Sequence, residues 1–173
     1  MIVTISGKSG CGNTTVSRMV AESLGLRHIN YTFHDIAIER GISFEELHER
    51  ATDDPEVDRY LDERQIELAK AGDCVLGSRL AIWLIKDADV RVYLDGPIDV
   101  RAARIATRES LALEYAIAAT AERDATDRRR YIQLYGIDID DTDQADLVVD
   151  TAAADQYGVA AQIIAAAKAK QGE

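Results

Sequence analysis

The sequence predicts an α/β fold built on a mainly parallel sheet of five strands with helices on its faces. Three observations carry this expectation. Short β-branched runs alternate with longer helix-like stretches, the order of a βαβ chain. Runs such as Ile2-Val3-Thr4-Ile5 and Leu147-Val148-Val149 are almost continuously apolar, as strands covered on both faces must be. Between the first strand and the first helix-like run lies a glycine-rich turn, Gly7-Lys8-Ser9-Gly10-Cys11-Gly12-Asn13-Thr14-Thr15.

Taken in order, the predicted strands are 2–6, 28–31, 74–78, 90–95 and 147–150. A helix follows the glycine turn from Val16. Ser43-Phe44-Glu45-Glu46 resembles a capping box and marks another helix start. Pro55 and Pro97 each stand where a helix begins, because proline lacks only an N–H that the first turn leaves unpaired anyway. In the helix from Pro55 the apolar stripe is Val57, Tyr60, Leu61 and Leu68, and Arg64 falls on it. Ala160 to Lys170 forms a last helix packed on the sheet, with a short oligomer interface as an alternative. No repeat, low-complexity segment or linker interrupts the 173 residues, so 1–173 reads as one domain, a monomer or weak homo-oligomer.

Composition narrows the partners. A formal charge of −11 repels nucleic acid and anionic membranes. No apolar run approaches a membrane span, and no signal-peptide pattern opens the chain. Cys11 and Cys74 follow no metal-ligand spacing, so a reduced cytoplasmic setting is expected. His28, His34 and His48 show no ligand spacing either.

The glycine turn fits the phosphate-loop pattern G-x-x-x-x-G-K-[ST] at Gly7, Gly12 and Thr14, with Asn13 in the lysine's place. Glycines let the backbone approach a phosphate, and the N–H groups of the next helix point at it. Thr14 supplies a hydroxyl for Mg²⁺, and Lys8 is the nearest replacement charge. Two arginine rows follow: Arg101, Arg104 and Arg108, then Arg123, Asp127 and Arg130. Such rows suit phosphate, and they equally suit a solvated helix face. Arg64 either pairs with a carboxylate or faces an anion site. Arg79 follows the strand 74–78 at its C-terminal end, where open α/β sheets place ligands.

An ordered series of segments reaches further. The opening Ile2 to Gly7, then Asp53-Asp54-Pro55-Glu56-Val57-Asp58, Leu61 to Lys70, Arg79-Leu80-Ala81-Ile82-Trp83, Val100 to Ala106, Arg130-Tyr131 and Tyr135 to Asp141 resemble the cytidylate kinase family. The likeness is strongest to the short form common in archaea and covers nearly the whole chain. It implies a P-loop NTPase-like fold with a helical NMP-binding segment at about 33–72 and a lid at about 104–130. It further implies a kinase that transfers the γ-phosphoryl of MgATP to CMP or dCMP. By the same resemblance Gly7 to Thr15, Arg104 and Arg108 hold ATP, and Thr14 holds Mg²⁺. Arg79, with Arg64 as a further candidate, holds the acceptor. Arg123 and Arg130, with Asp127, are the catalytic lid residues.

Two departures qualify the resemblance. Family members carry an acid followed by Gly-Arg where this chain reads Gly77-Ser78-Arg79; Asp95 is the substitute at the next strand end. Asn30-Tyr31-Thr32-Phe33-His34 replaces a small-residue turn, which leaves the acceptor base open. A P-loop kinase for another small acceptor and a non-catalytic nucleotide-binding protein are the alternatives.

Overall fold

The computed structural model describes residues 1–172. Its five strands are β1 (Ile2–Gly7), β2 (Arg27–Ile29), β3 (Cys74–Gly77), β4 (Val90–Asp95) and β5 (Leu147–Asp150). They form one sheet in the order β2-β3-β1-β4-β5 with every neighbouring pair parallel. The helices are α1 (Asn13–Leu24), α2 (Phe33–Arg40), α3 (Phe44–Asp53), α4 (Glu56–Lys70), α5 (Ala81–Leu84), α6 (Ile98–Glu109), α7 (Leu113–Tyr135) and α8 (Gln156–Gln171).

β1 lies at the centre, and its alternation sorts the two faces. Val3 and Ile5 pack with Val16 and Val20 of α1 and with Val159 and Ile163 of α8. Thr4 and Ser6 face the other way and are fully buried, so their hydroxyls need partners. Thr4 Oγ1 donates to the Val90 carbonyl, and Ser6 Oγ accepts from Ile82 N at 3.2 Å, seating α5. Separate apolar clusters hold the outlying helices: Ile36, Leu47 and Val57 join α2, α3 and α4, while Leu80, Ile82, Trp83, Tyr93 and Ile139 lie under α7.

Helix starts behave as expected locally. Ser43 caps α3 by accepting from Glu46 N at 3.1 Å, and Pro55 and Pro97 occupy the N-cap positions of α4 and α6. Ala160 to Lys170 falls inside α8, whose Val159, Ala160, Ile163 and Ala167 are buried on the sheet.

α4 departs from expectation. Its buried residues are Val57, Asp58, Asp62, Gln65 and Ala69, whereas Tyr60 is 39 % exposed. The stripe is therefore turned toward polar residues, and Arg64, half-buried, pairs along the helix with Glu67 at 2.6 Å. The reason is α7, which lies across α4 and supplies partners for the polar face, as the site geometry below shows. β2 also ends at Ile29, so Tyr31 leaves the sheet and offers its carbonyl to Gln65 Nε2 at 2.8 Å.

Candidate active site

β1 delivers the chain into the glycine turn at the C-terminal edge of the sheet, where the ends of all five parallel strands point. Gly10 and Gly12 adopt φ of 85° and 88°, a left-handed conformation that side chains rarely accept. A Cβ on Gly10 would also lie 2.6 Å from the Arg101 carbonyl. Gly12 is the N-cap of α1 and offers no side-chain cap, so the first N–H groups of that helix remain available to an anion. Thr14 is exposed there.

Basic side chains converge on this turn, each with a partner. Arg101 is 4 % exposed; it donates to the Gly96 carbonyl at 2.8 Å, to the Ser9 carbonyl at 3.0 Å and to Asp124 at 2.7 Å. Arg104 donates to the carbonyls of Gly10 at 3.2 Å and Thr151 at 2.5 Å. Arg79 donates to Ser9 Oγ at 2.6 Å and pairs with Asp127. Lys8 pairs with Asp140, in the loop after α7. The void enclosed by Gly7, Lys8, Arg79, Tyr93 and Ile139 is only about 10 Å³, so paired side chains fill the space beside the turn.

A second group of paired side chains lies between α4 and α7. Arg130 pairs with Asp58 and donates to the Ala51 carbonyl at 3.0 Å. Tyr135 donates to Asp62 at 2.6 Å. Burial pushes the Tyr131 phenol up, with Arg79 acting against it and the Asp62 carboxylate adding to it. Burial also pushes Asp62 up to about 6, against the hydrogen bond from Tyr135. At Arg79 desolvation works against the positive charge, a penalty that a bound phosphate would relieve.

The structure thus gathers Arg79, Arg104 and Asp127 around Gly7 to Thr15, whereas Arg130 is engaged with Asp58 and Ala51. Arg123 is exposed on α7, adds its charge to the surroundings of Arg79 and forms no ion pair among the described residues. Arg108 and Arg64 are not brought to the turn: Arg108, 65 % exposed, pairs with its neighbour Glu109, and Arg64 with Glu67. Sequence reasoning missed Arg101 as the clamp of the turn. The signal was present, since an arginine that opens an otherwise apolar face, with Ala102, Ile105 and Ala106, has to be buried. Asp58, Asp62, Asp124 and Asp140 were also missed; their partners lie on other elements, so spacing holds no trace of them.

The position expected to carry an acid is closed. A Cβ on Gly77 would meet Ser17 Oγ at 2.4 Å, and Ser17, fully buried, is held by His28 Nε2 at 2.9 Å. Asp95 is exposed, with Oδ1 engaged by Gly96 N at 2.8 Å.

The family model described as the cytidylate kinase-like family matches residues 2–153. The chain belongs to the cytidylate kinase-like family. Within that family, it is 51 % identical over 154 residues to cytidylate kinase 2 of Borreliella afzelii, an alignment covering 87 % of this chain and 86 % of the relative. It is 45 % identical over 168 residues to the cytidylate kinase of Pyrococcus horikoshii, covering 96 % and 88 %. Among solved structures, shikimate kinase from Acinetobacter baumannii in complex with shikimate superposes with a TM-score of 0.69 at 20 % identity, covering 99 % of this chain and 95 % of that one. A gluconokinase from Sinorhizobium meliloti gives 0.61 at 17 %, covering 98 % and 93 %. These two share the fold with this cytidylate kinase-like chain, a parallel sheet flanked by helices.

Proposed function

We propose that the protein is a nucleoside monophosphate kinase that transfers the γ-phosphoryl group of ATP to CMP or dCMP, giving CDP or dCDP. One observation carries the reading: Arg79, just past the end of β3, donates to Ser9 of the phosphate turn and pairs with Asp127 of α7. In this reading a single guanidinium at the turn holds the acceptor phosphate against the donor phosphates, the positioning that in-line transfer uses. The near relatives bearing the name cytidylate kinase favour CMP over the readings as a kinase for another acceptor or as a non-catalytic binder.

In this reading the turn and the first N–H groups of α1 cradle the ATP phosphates, with Lys8 and Arg104 beside them. Asn13 Oδ1 is buried without a hydrogen-bond partner; a half-turn of the amide presents its N–H to a phosphate in the lysine's stead. Mg²⁺ fits a site of this kind. Among the described residues no group of three or more His, Cys, Asp or Glu is poised for a metal, which suits an ion carried mainly by phosphate and water with Thr14 as its protein hydroxyl. When bound, Mg²⁺ supplies neutralisation of charge on the β- and γ-oxygens. Arg79 orients the acceptor phosphate, and Arg123 and Arg130 on α7 stabilise charge on the transferring group as the α6–α7 lid closes and excludes water. Phosphate oxygens displace Asp127 from Arg79 and Asp140 from Lys8, so each cation exchanges one anion for another. No helix among the described residues is long and apolar enough to cross a membrane. Both cysteines are free and buried, which fits a reducing compartment such as the cytoplasm.

The test is ADP release from MgATP with CMP, dCMP, UMP, AMP or GMP, with the product diphosphate identified. CDP or dCDP is the expected product. ATP binding without phosphorylation of any of these acceptors would sink the proposal.

A further inference from the structure

The inward stripe of α7 runs Ala116, Thr120, Asp124, Asp127 and Tyr131, in steps of four and three residues along one face. Such a stripe is ordinarily apolar, yet two of its positions are carboxylates. The apolar packing between α6 and α7 consists of Ala102, Ala106 and Ala116, with Ile117 at the margin. Alanine ridges are shallow, so this contact sets the rotation and height of α7 only weakly. Beside the phosphate turn that task falls to Asp124 and Asp127.

Both carboxylates reach the same residue of the turn. Arg101, enclosed at 5 % side-chain exposure, donates Nη2 to Asp124 Oδ2 at 2.7 Å and Nη1 to the Ser9 carbonyl at 3.0 Å, while its Nε holds the Gly96 carbonyl at 2.8 Å. Arg79 pairs with Asp127 and donates to Ser9 Oγ at 2.6 Å. Ser9 is thus gripped through its carbonyl by one arm and through its hydroxyl by the other. The arms differ in permanence. Arg79, with 27 % side-chain exposure, is open to an incoming phosphate that takes the place of Asp127. Arg101 spends its donors on two backbone carbonyls and Asp124, and the turn sits directly on it: a Cβ at Gly10 would lie 2.8 Å from the Arg101 Cβ.

We infer that Asp124, acting through Arg101, is a positioning residue that pins α7 to the phosphate turn at Ser9. A nucleotide seated in the turn then fixes where Arg123, the neighbour of Asp124 in sequence, stands. Asp127 leaves Arg79 for a phosphate without the helix losing its register on the turn, because the Asp124 arm persists. The consequence for phosphoryl transfer rests on the kinase reading; the pin itself rests on the contacts of Arg101.

The test reads α7 both with and without turnover. Amide hydrogen exchange of the full chain is followed with and without MgADP, which fills the turn and offers no γ-phosphoryl for Arg123 to hold. In the wild type MgADP slows exchange at 7–15 and also at 120–131. In Asp124→Ala the turn keeps its protection, and the slowing at 120–131 falls at least about fivefold. With MgATP and CMP the same variant loses about tenfold or more in kcat, while KM for MgATP changes less than about threefold. Asp124→Asn separates position from stability. Asp124 Oδ1 has no hydrogen-bond partner, so the amide can leave its nitrogen there and keep its oxygen on Arg101. It lowers the urea midpoint as Asp124→Ala does, because Arg101 loses its counter-charge, yet it keeps the α7 response and kcat close to the wild type. Should Asp124→Ala not fold, Arg101→Met combined with Asp124→Leu removes the pin and leaves no lone buried charge, and the same loss of response at 120–131 is expected. A folded variant without the pin in which α7 still responds to MgADP as in the wild type overturns the proposal. So does a kcat that follows the urea midpoint through Asp124→Ala and Asp124→Asn alike, which would assign Asp124 to stability alone. A wild type that makes no CDP defeats the kinase reading instead, and the exchange measurement still decides the pin.

Discussion

At the scale of single residues, the site turns on which atoms have room. Gly77 stands where relatives of this form are expected to carry an acid, and the space its side chain would need holds Ser17, fixed by His28. Gly77→Ala should therefore overpack a rigid contact and cost about 1–3 kcal/mol in urea denaturation. Ser17→Gly in the same chain should recover most of that loss. Equal stability of Gly77→Ala and wild type would show that β3 and α1 can separate at this point. Arg101 illustrates the opposite case, a charge enclosed by partners. Arg101→Met leaves Asp124 facing the turn without its counter-ion and should destabilise by about 3 kcal/mol or more, whereas adding Asp124→Leu should restore part of it. A double variant no more stable than the single one would argue against the pair as the source.

At the scale of elements, the reach of sequence reasoning follows the separation of the partners. The glycine turn was legible because strand, turn and helix are consecutive and the demand for positive φ is local to Gly10 and Gly12. The helix starts at Ser43, Pro55 and Pro97 were legible for the same reason. α4 was not, because its wheel carries both an apolar stripe and a polar row, and only α7, at a sequence distance of 72 residues from Asp58 to Arg130, decides which is buried. The same applies to Lys8 and Asp140, which meet only because the loop after α7 returns to the turn. That pairing makes a prediction: Asp140→Asn frees Lys8 and should lower KM for MgATP severalfold with little change in kcat, read from initial rates. A raised KM would mean that Asp140 serves the nucleotide directly. α7 carries the complementary prediction. Arg123 is exposed and forms no ion pair among the described residues, so Arg123→Ala should leave the fold and ATP affinity nearly intact while lowering turnover by about tenfold or more. Unaffected turnover would remove Arg123 from the lid assignment.

At the scale of the whole molecule, acidity links the crevice to stability. Asp62 faces Tyr135 and Tyr131 from α7, with Arg59 and Glu63 beside it on α4. Burial raises its folded pKa from the ordinary 3.8 to about 6, so the folded protein binds this proton more tightly than the unfolded chain. Stability from this group therefore rises as pH falls from above 6 toward about 4, by about 3 kcal/mol over the full span. The net charge of −11 acts in the same direction, since partial protonation relieves self-repulsion. Asp73, Asp138 and Asp146 act oppositely: Asp73 through the N-terminal ammonium, Asp138 through Arg128, and Asp146 through Arg91 against its own desolvation. Each is held below the ordinary carboxylate value, and the stability it contributes is lost only as pH falls below about 4. The two sets separate on the pH axis, while His28, held below its ordinary 6.5 chiefly by burial, favours the unfolded chain as pH falls through that value and opposes Asp62 there. Between pH 7 and pH 5 the urea midpoint of the wild type should gain on that of Asp62→Asn, in which the buried carboxyl no longer titrates and His28 is unchanged. A difference between the two that stays constant from pH 7 to pH 5 would show that Asp62 is charged and satisfied in the folded crevice. The carboxylate would then be held by Tyr135 strongly enough to offset its burial.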